Sequence, residues 1–229
     1  MSFILKSVVP WGRSFDEYVA MFNLSESDLS LPILGCSDGP AGFNARMHEM
    51  GHPVISCDPL YQYSHDQIEC RIHTARDEVM QQVRENLQNF TWNHIRTPFE
   101  LEQVRMTAMQ SFLADYRTGL REGRYIAGAL PRLPFRNQAF GLALCSHFLF
   151  LYNSLGPEFH LRSIREMARV AREVRIYPVV NTNGEQADFF YELMGRIHDL
   201  GMAAILEPVG YDFLKNGREM LKITGYSPG

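Results

Sequence analysis

The amino-acid sequence predicts an α/β fold, a doubly wound and mostly parallel sheet interrupted by a block of helices. Three observations carry this reading. Residues 33–58 have the pattern of a β-turn-α-β unit. After residue 123, short apolar runs and amphipathic segments alternate again, the order that builds a parallel sheet. The chain then closes on two short strand-like runs linked by a turn, which suits an antiparallel pair at a sheet edge.

Residues 1–31 form a helical lead-in. Ser14-Phe15-Asp16-Glu17 is a capping-box pattern in which Glu17 reaches back to the Ser14 N–H. The helix it opens carries Phe15, Val19 and Phe22 on one face. Ser25-Glu26-Ser27-Asp28 marks a second, weaker start. In an open α/β domain such a segment packs beside the ligand crevice, so Trp11 and Arg13 are candidates for substrate contact; plain packing is the simpler alternative. The stretch MSFILKSVVPWGR is too short and interrupted for a signal peptide.

The α/β domain spans 32–229. Ile33-Leu34 begins a strand, and a glycine-bearing turn follows, Gly35-Cys36-Ser37-Asp38-Gly39-Pro40. Pro40 suits the first position of a helix, because its fixed φ fits there and its missing N–H is not needed. Phe43, Met47 and Met50 give that helix an apolar face, and Gly51 is its stop. Val54-Ile55 opens a second strand that ends at Asp58. A glycine turn lets a ligand approach the backbone, and a carboxylate beyond the second strand accepts hydrogen bonds from ribose hydroxyls. The unit therefore suits a nucleoside ligand. Ser37 and Pro40 stand where the dinucleotide fingerprint has its second and third glycines, so a pyrophosphate fits poorly.

Residues 62–122 read as a helical insert. Ile68, Ile72, Val79, Val83, Leu87 and Phe90 have helical spacing, and Thr97-Pro98-Phe99-Glu100 opens a further helix with cap, N1 proline and N3 glutamate. Leu101, Val104, Ala108, Phe112 and Tyr116 continue its apolar face, and Gly119 and Gly123 bracket its end. A crossover of ordinary length is much shorter. The insert starts at the strand tip bearing Asp58, so it is either a lid over the site or a dimerisation element.

Arg124–Ala127 is then a short strand, and Phe140–Cys145 is a continuous apolar run suited to a central parallel strand. A helix from Ser163, a strand over Val174–Val180, a loop at Asn181–Gly184 and a helix from Phe190 to Gly201 follow. Ala203–Leu206 and Glu219–Thr224 are the closing strands.

Composition narrows the function. The chain has 229 residues, 45% hydrophobic and 21% charged, with formal net charge −4 and no block of like charge. Nucleic acid is not an expected partner. No apolar run approaches the roughly 20 residues that cross a bilayer, and a cytoplasmic protein is expected. Cys36, Cys57, Cys70 and Cys145 form no C-x-x-C pair and read as small buried hydrophobes. His48, His52, His65, His147 and His160 show no paired ligand spacing, so no metal is expected.

The order and spacing of these pieces resemble the class I S-adenosylmethionine-dependent methyltransferases, from about Ile33 to Thr224 apart from the insert. The turn Leu34–Gly39 resembles the family's first motif, and Asp58 matches its ribose-holding acid. The stretch from Leu133-Pro134-Phe135 to Phe140-Gly141-Leu142 looks like the family's "LPF…FDL" passage, and Ile164–Val170 like the helix before strand five. The resemblance implies a Rossmann-like seven-stranded sheet whose last strand is antiparallel. It implies S-adenosyl-L-methionine as cofactor, held by Gly35, Cys36, Ser37, Asp38, Gly39, Asp58, Pro59, Leu60, Ala129, Leu130 and Ser146. The chain departs from the family at four places. Ile33 stands where an acid two before the first glycine is usual, Ser37 for the second glycine, Ala129 for the adenine-side acid, and Gly141 for the aspartate of "FD". Asp38 is a candidate stand-in for the first.

The implied chemistry is methyl transfer to a small-molecule acceptor, with alignment as the protein's main contribution. His147, just past the fourth strand, is the candidate base, against a hydrogen-bonded structural role. Arg13, Tyr152 and Asn181 are candidates for acceptor contact. A protein that binds S-adenosylmethionine or S-adenosylhomocysteine without catalysis is the alternative, which the absent acids favour. A nicotinamide-dependent enzyme is a third reading, which Ser37 and Pro40 oppose. A homodimer is compatible with the insert.

Overall fold

The computed structural model describes residues 9–226; most of the stretch judged too short for a signal peptide, residues 1–8, lies outside them. In chain order the elements are α1 (Phe15–Phe22), α2 (Glu26–Leu29), β1 (Ile33–Cys36), α3 (Phe43–Glu49), β2 (Val54–Cys57), α4 (His65–Glu85), α5 (Pro98–Arg121), β3 (Tyr125–Ile126), β4 (Phe140–Ser146), α6 (Gly156–Val170), β5 (Ala171–Tyr177), α7 (Phe190–Asp199), β6 (Ala203–Pro208) and β7 (Glu219–Thr224). The seven strands form one sheet in the order β3-β2-β1-β4-β5-β7-β6. All pairings are parallel except those of β7, which runs antiparallel to both β5 and β6. This is the expected Rossmann-like sheet with its antiparallel last strand.

Central strands are apolar because both faces are covered. Along β4, Ala143 and Cys145 face a core with Ile164 and Met167 of α6 and Phe190 and Leu193 of α7. Leu142 and Leu144 face the opposite core, built by Tyr18, Met21 and Phe22 of α1 and Phe43 and Met47 of α3. Strand β1 lies between β2 and β4. The chain leaves β1 toward one edge and later returns beside it through β4 toward the other. The crevice at the carboxyl ends of β1 and β4 is therefore the switch point where such sheets take ligands.

The residues read as an insert fold as a helical hairpin of α4 and α5. Arg117 near the end of α5 pairs with Asp66 at the start of α4 at 2.9 Å, and Arg76 and Arg84 of α4 reach Glu102 at 3.5 and 3.6 Å. Ile68 and Ile72 meet Met109, Phe112 and Tyr116, with Tyr61 and Tyr125 between. Helix α5 leads directly into β3 and so ends the crossover from β2. Val79, Met80 and Val83 of α4 pack with Tyr177 at the end of β5 and with Tyr211 and Phe213, which carries α4 along the sheet's carboxyl edge. Thr97 caps α5 as expected, accepting from Glu100 N at 3.1 Å.

Four local expectations are corrected. Pro40 does not start α3, which begins at Phe43 after Gly42. The Gly42 N–H donates to the Arg13 carbonyl at 2.9 Å, and Gly12 lies so close that a Cβ there would be 2.0 Å from the Pro40 carbonyl oxygen. The lead-in thus holds residues 40–42 out of the helix. Met50 is exposed, being the C-cap rather than a core residue; Gly51, at φ 77°, closes the helix as expected. Helix α6 starts at Gly156, seven residues before Ser163, with Pro157 in its first turn. Strand β5 runs Ala171–Tyr177 and stops before Pro178, which has no N–H for a ladder.

The buried face of α1 is Glu17, Tyr18, Met21 and Phe22, whereas Phe15 and Val19 are half-buried. The cause is Arg105, fully buried within the otherwise apolar face of α5. It pairs with Glu17 Oε1 and donates to Tyr211 Oη at 3.1 Å, while Tyr211 donates to the same glutamate oxygen at 2.6 Å. Glu17 Oε2 still accepts from Ser14 N at 2.9 Å, so one side chain caps α1 and anchors the insert. Burial opposes the Glu17 charge, but Arg105 and Arg13 bring its pKa down to about 2. A depressed carboxylate stabilises the fold above its unfolded pKa, and that stabilisation is lost as pH falls from about 4.5 toward 2. Arg105→Met should lower the unfolding free energy by about 3–5 kcal/mol, because it strands a buried charge. Adding Glu17→Gln should restore at least half of that loss in urea titrations. A single-variant loss below about 1 kcal/mol would contradict this assignment.

Candidate functional site

The loop after β1 is bent by two left-handed residues, Ser37 at φ 54° and Gly39 at φ 53°, and tied to β2 by Ser37 N donating to Cys57 O at 2.9 Å. Its Asp38 carboxyl folds back onto β1. A Cβ on Gly35 would lie 2.1 Å from Asp38 Oδ2, so glycine is required there by this carboxyl. Asp38 accepts from Tyr18 Oη and Ser56 Oγ, both at 2.5 Å, and burial raises its pKa.

Asp58, at the tip of β2, accepts from Gly39 N at 2.9 Å through Oδ2 and from Leu60 N at 2.7 Å through Oδ1. It therefore fixes both loops that flank the crevice. A carboxylate has about four acceptor positions, so two remain. Burial, only partly offset by these N–H groups, pushes its pKa up to about 6.

The loop after β4 supplies Ser146 and His147. His147 adopts φ 52°, and its N–H donates to Tyr177 O at 2.6 Å. Its Nδ1 lies 2.9 Å from Ser146 Oγ, which also donates to Met21 Sδ at 3.9 Å. Nε2 is buried with no hydrogen-bond partner among the described residues. Burial, reinforced by Arg13 and Arg105, holds the imidazole well below the usual histidine range, so the ring is neutral at pH 7. Arg13 comes from the lead-in, 9% exposed. It donates to the Trp11 carbonyl, and its Nε has no partner among the described residues. Burial and the charge of Arg105 lower its pKa to about 10.

These groups surround a cleft of about 240 Å³. Of the residues expected at a cofactor, Ser37, Asp38, Gly39, Asp58, Pro59, Leu60 and Ser146 line it, as do His147, Arg13 and Tyr152. Gly35 is covered by Asp38, and Cys36 is core at 0% exposure. Leu130 is also core, whereas Ala129 is exposed, and neither lines the cleft. Asn181 closes its own loop, accepting from Asn183 N at 2.9 Å and Glu185 N at 3.1 Å. A second cavity of about 80 Å³ shares Arg13, His147, Tyr152, Trp11 and Val9 with the first.

Sequence reasoning missed Tyr18, Tyr63 and Arg71 in the cleft and the contribution of α4 to the second cavity. Only Tyr18 carried a signal, one turn from the cap at Ser14. His65, Asp66 and Glu69 also bring ligand atoms within 4.8 Å of one another, but Asp66 is exposed and ion-paired to Arg117. No helix among the described residues is long and apolar enough to cross a membrane.

Sheet order, antiparallel β7 and a cleft at the switch point define a protein of the class I methyltransferase fold. No protein-family model matches the sequence. Over 221 residues it is 34% identical to the uncharacterized protein MJ0045 of Methanocaldococcus jannaschii, covering 96% of this chain and 97% of that one. The chain belongs to the same family as that archaeal protein. Similar solved structures include magnesium protoporphyrin IX methyltransferase from Synechocystis PCC 6803 with bound SAM, at 12% identity over 93% of this chain and 78% of that one, with TM-score 0.46. A TehB-like SAM-dependent methyltransferase from Corynebacterium glutamicum is 14% identical over 86% and 80% of the two chains, with TM-score 0.43.

Gly35→Ala should force the Asp38 carboxyl off Tyr18 and Ser56, at a cost of about 2–3 kcal/mol in unfolding free energy. In an Asp38→Ala background the same change should cost under about 1 kcal/mol. Equal costs in both backgrounds, measured by chemical denaturation, would contradict the packing described.

Proposed function

We propose that the protein is an S-adenosylmethionine-dependent methyltransferase acting on a small molecule. One observation carries the reading: Asp58, a carboxylate with spare acceptor positions, and His147, whose buried Nε2 has no hydrogen-bond partner among the described residues, line the same cleft at the switch point. The residues present fit such a cofactor. Asp58 would hold the ribose hydroxyls, and the bend at Ser37, Asp38 and Gly39 would flank the amino-acid end. Pro59 and Leu60 would lie along the adenine. S-adenosylmethionine, when bound, supplies a methyl group already activated on a sulfonium.

The chain's own part is alignment and proton removal. With the Ser146 hydroxyl proton directed at Met21, Ser146 Oγ accepts from His147 Nδ1–H, and Nε2 keeps a lone pair. It accepts the proton of an acceptor O–H or N–H as that atom takes the methyl group. Burial keeps the ring neutral at pH 7, so the lone pair is not already protonated. The cleft holds no carboxylate besides Asp38 and Asp58 among the described residues, which favours the second reading, binding of S-adenosylmethionine or S-adenosylhomocysteine without transfer.

We take α4 as a wall of the site, because its apolar side chains face inward, and a homodimer as a further proposal that does not use that face. We also take the protein to be cytoplasmic, where four free cysteines suit a reducing compartment.

Calorimetry should show S-adenosylhomocysteine binding and no binding of NAD. Above pH 6 Asp58 is ionised and its affinity for the ribose is full. Below pH 6 protonation should weaken S-adenosylhomocysteine binding about tenfold per pH unit, and Asp58→Asn should flatten the profile. A wild-type affinity that stays level from pH 7.5 to 5 would refute the assignment of Asp58. His147→Ala should reduce labelled methyl transfer from S-adenosylmethionine into a small-molecule extract by about 100-fold or more, with S-adenosylhomocysteine affinity kept. Undiminished transfer rules out the base role, and absence of transfer by the wild type selects the second reading.

A further inference from the structure

The two cavities meet at Arg13, and their charge balance differs. Two cations, Arg13 and Arg71, and two carboxylates, Asp38 and Asp58, face the first. Facing the second, Arg13 is the single charged side chain among the described residues, and no carboxylate is present. The walls there are apolar, with Val79 and Val83 from α4, Leu101 from α5, and Phe90, Phe213 and Leu214. The carboxylate whose charge acts on Arg13 is Glu17, which already holds Arg105, Tyr211 and the Ser14 N–H. The buried group Arg13, Glu17 and Arg105 thus carries one positive charge in excess, and Arg13 Nε has no partner among the described residues.

A desolvated guanidinium without a counter-ion is unfavourable, and its planar fork matches a carboxylate. The first cavity has a cation of its own, Arg71, for the carboxylate of a nucleoside cofactor, so Arg13 is left to the other ligand. We propose that the methyl acceptor is a small apolar organic acid. Its carboxylate pairs with Arg13, its apolar body fills the cavity between α4 and Phe213, and a hydroxyl or amine on it forms the new bond to the methyl carbon, its proton passing to His147 while the C–S bonding pair stays on the cofactor's sulfur. The proposal rests on the methyltransferase reading above. The cavity's volume of about 80 Å³ limits that body to a short chain or part of a ring, since a cavity of about 150 Å³ holds benzene.

The test uses the full-length protein saturated with S-adenosylhomocysteine. Acetate, butanoate, hexanoate and benzoate are titrated in, each against its primary amide, with calorimetry as readout. At least one acid should bind tenfold or more tightly than its amide. The preference should vanish in Arg13→Met and persist in part in Arg13→Lys. The wild-type comparison needs no variant to fold. Acids and amides that bind alike, or no binding by any acid, overturn the proposal. It is also overturned if Arg13→Met loses tenfold or more in S-adenosylhomocysteine affinity while the acid preference stays, because the arginine then serves the cofactor's own carboxylate. Failure of S-adenosylhomocysteine to bind the wild type brings down the methyltransferase reading itself, whereas binding without acid preference brings down this proposal alone.

Discussion

A single glutamate, Glu17, sits where three parts of the chain meet in a buried setting. It is held by Arg105 from the insert and by Tyr211 from the segment between β6 and β7, and it caps its own helix through Ser14. A charge this deep is costly unless it is paired and hydrogen-bonded. The pair fixes where α1 lies against α5, and α1 carries Tyr18 to Asp38 and Met21 to Ser146. The wall of the cleft is therefore set by an ion pair that takes no part in the cleft itself.

The cleft repeats that logic on its own scale. Asp58 accepts N–H groups from the loops after β1 and β2, so one carboxylate holds the two loops in register. Asp38 holds the first loop down onto Gly35. Backbone and carboxylates thus form the rigid half of the site. The lead-in and the β4 loop form the other half, and they bring two atoms with no hydrogen-bond partner among the described residues, Arg13 Nε and His147 Nε2. A rigid half suited to alignment and a half with spare hydrogen-bonding capacity suit a reaction in which the protein positions two ligands and moves one proton.

Much of the fold was legible because the central strands are apolar runs bounded by turn residues, and helix starts such as Ser14 and Thr97-Pro98 carry their capping chemistry in the sequence. Asp58 was legible for the same reason, standing at the tip of a strand after a glycine turn. Pro40 misled because its place is decided by Gly12 and Arg13, far away along the chain. Arg105 was invisible because periodicity shows that a helix face is buried but not that a distant glutamate awaits a cation on it. The start of α6 was signalled by Gly156-Pro157 and passed over. Ala129 and Leu130 were assigned by position in a motif and Asn181 as a candidate in a loop after a strand, and position in a chain does not say which way a loop turns.

The central claim is that an adenosine moiety lies across the carboxyl edge of the sheet with its sugar on Asp58. The most direct measurement is a crystal structure of the protein grown with S-adenosylhomocysteine. The account predicts ribose hydroxyls within about 3 Å of the Asp58 carboxylate and the amino-acid end beside residues 37–39. Density for the ligand elsewhere, or a cleft closed by its own side chains at saturating ligand, would contradict it.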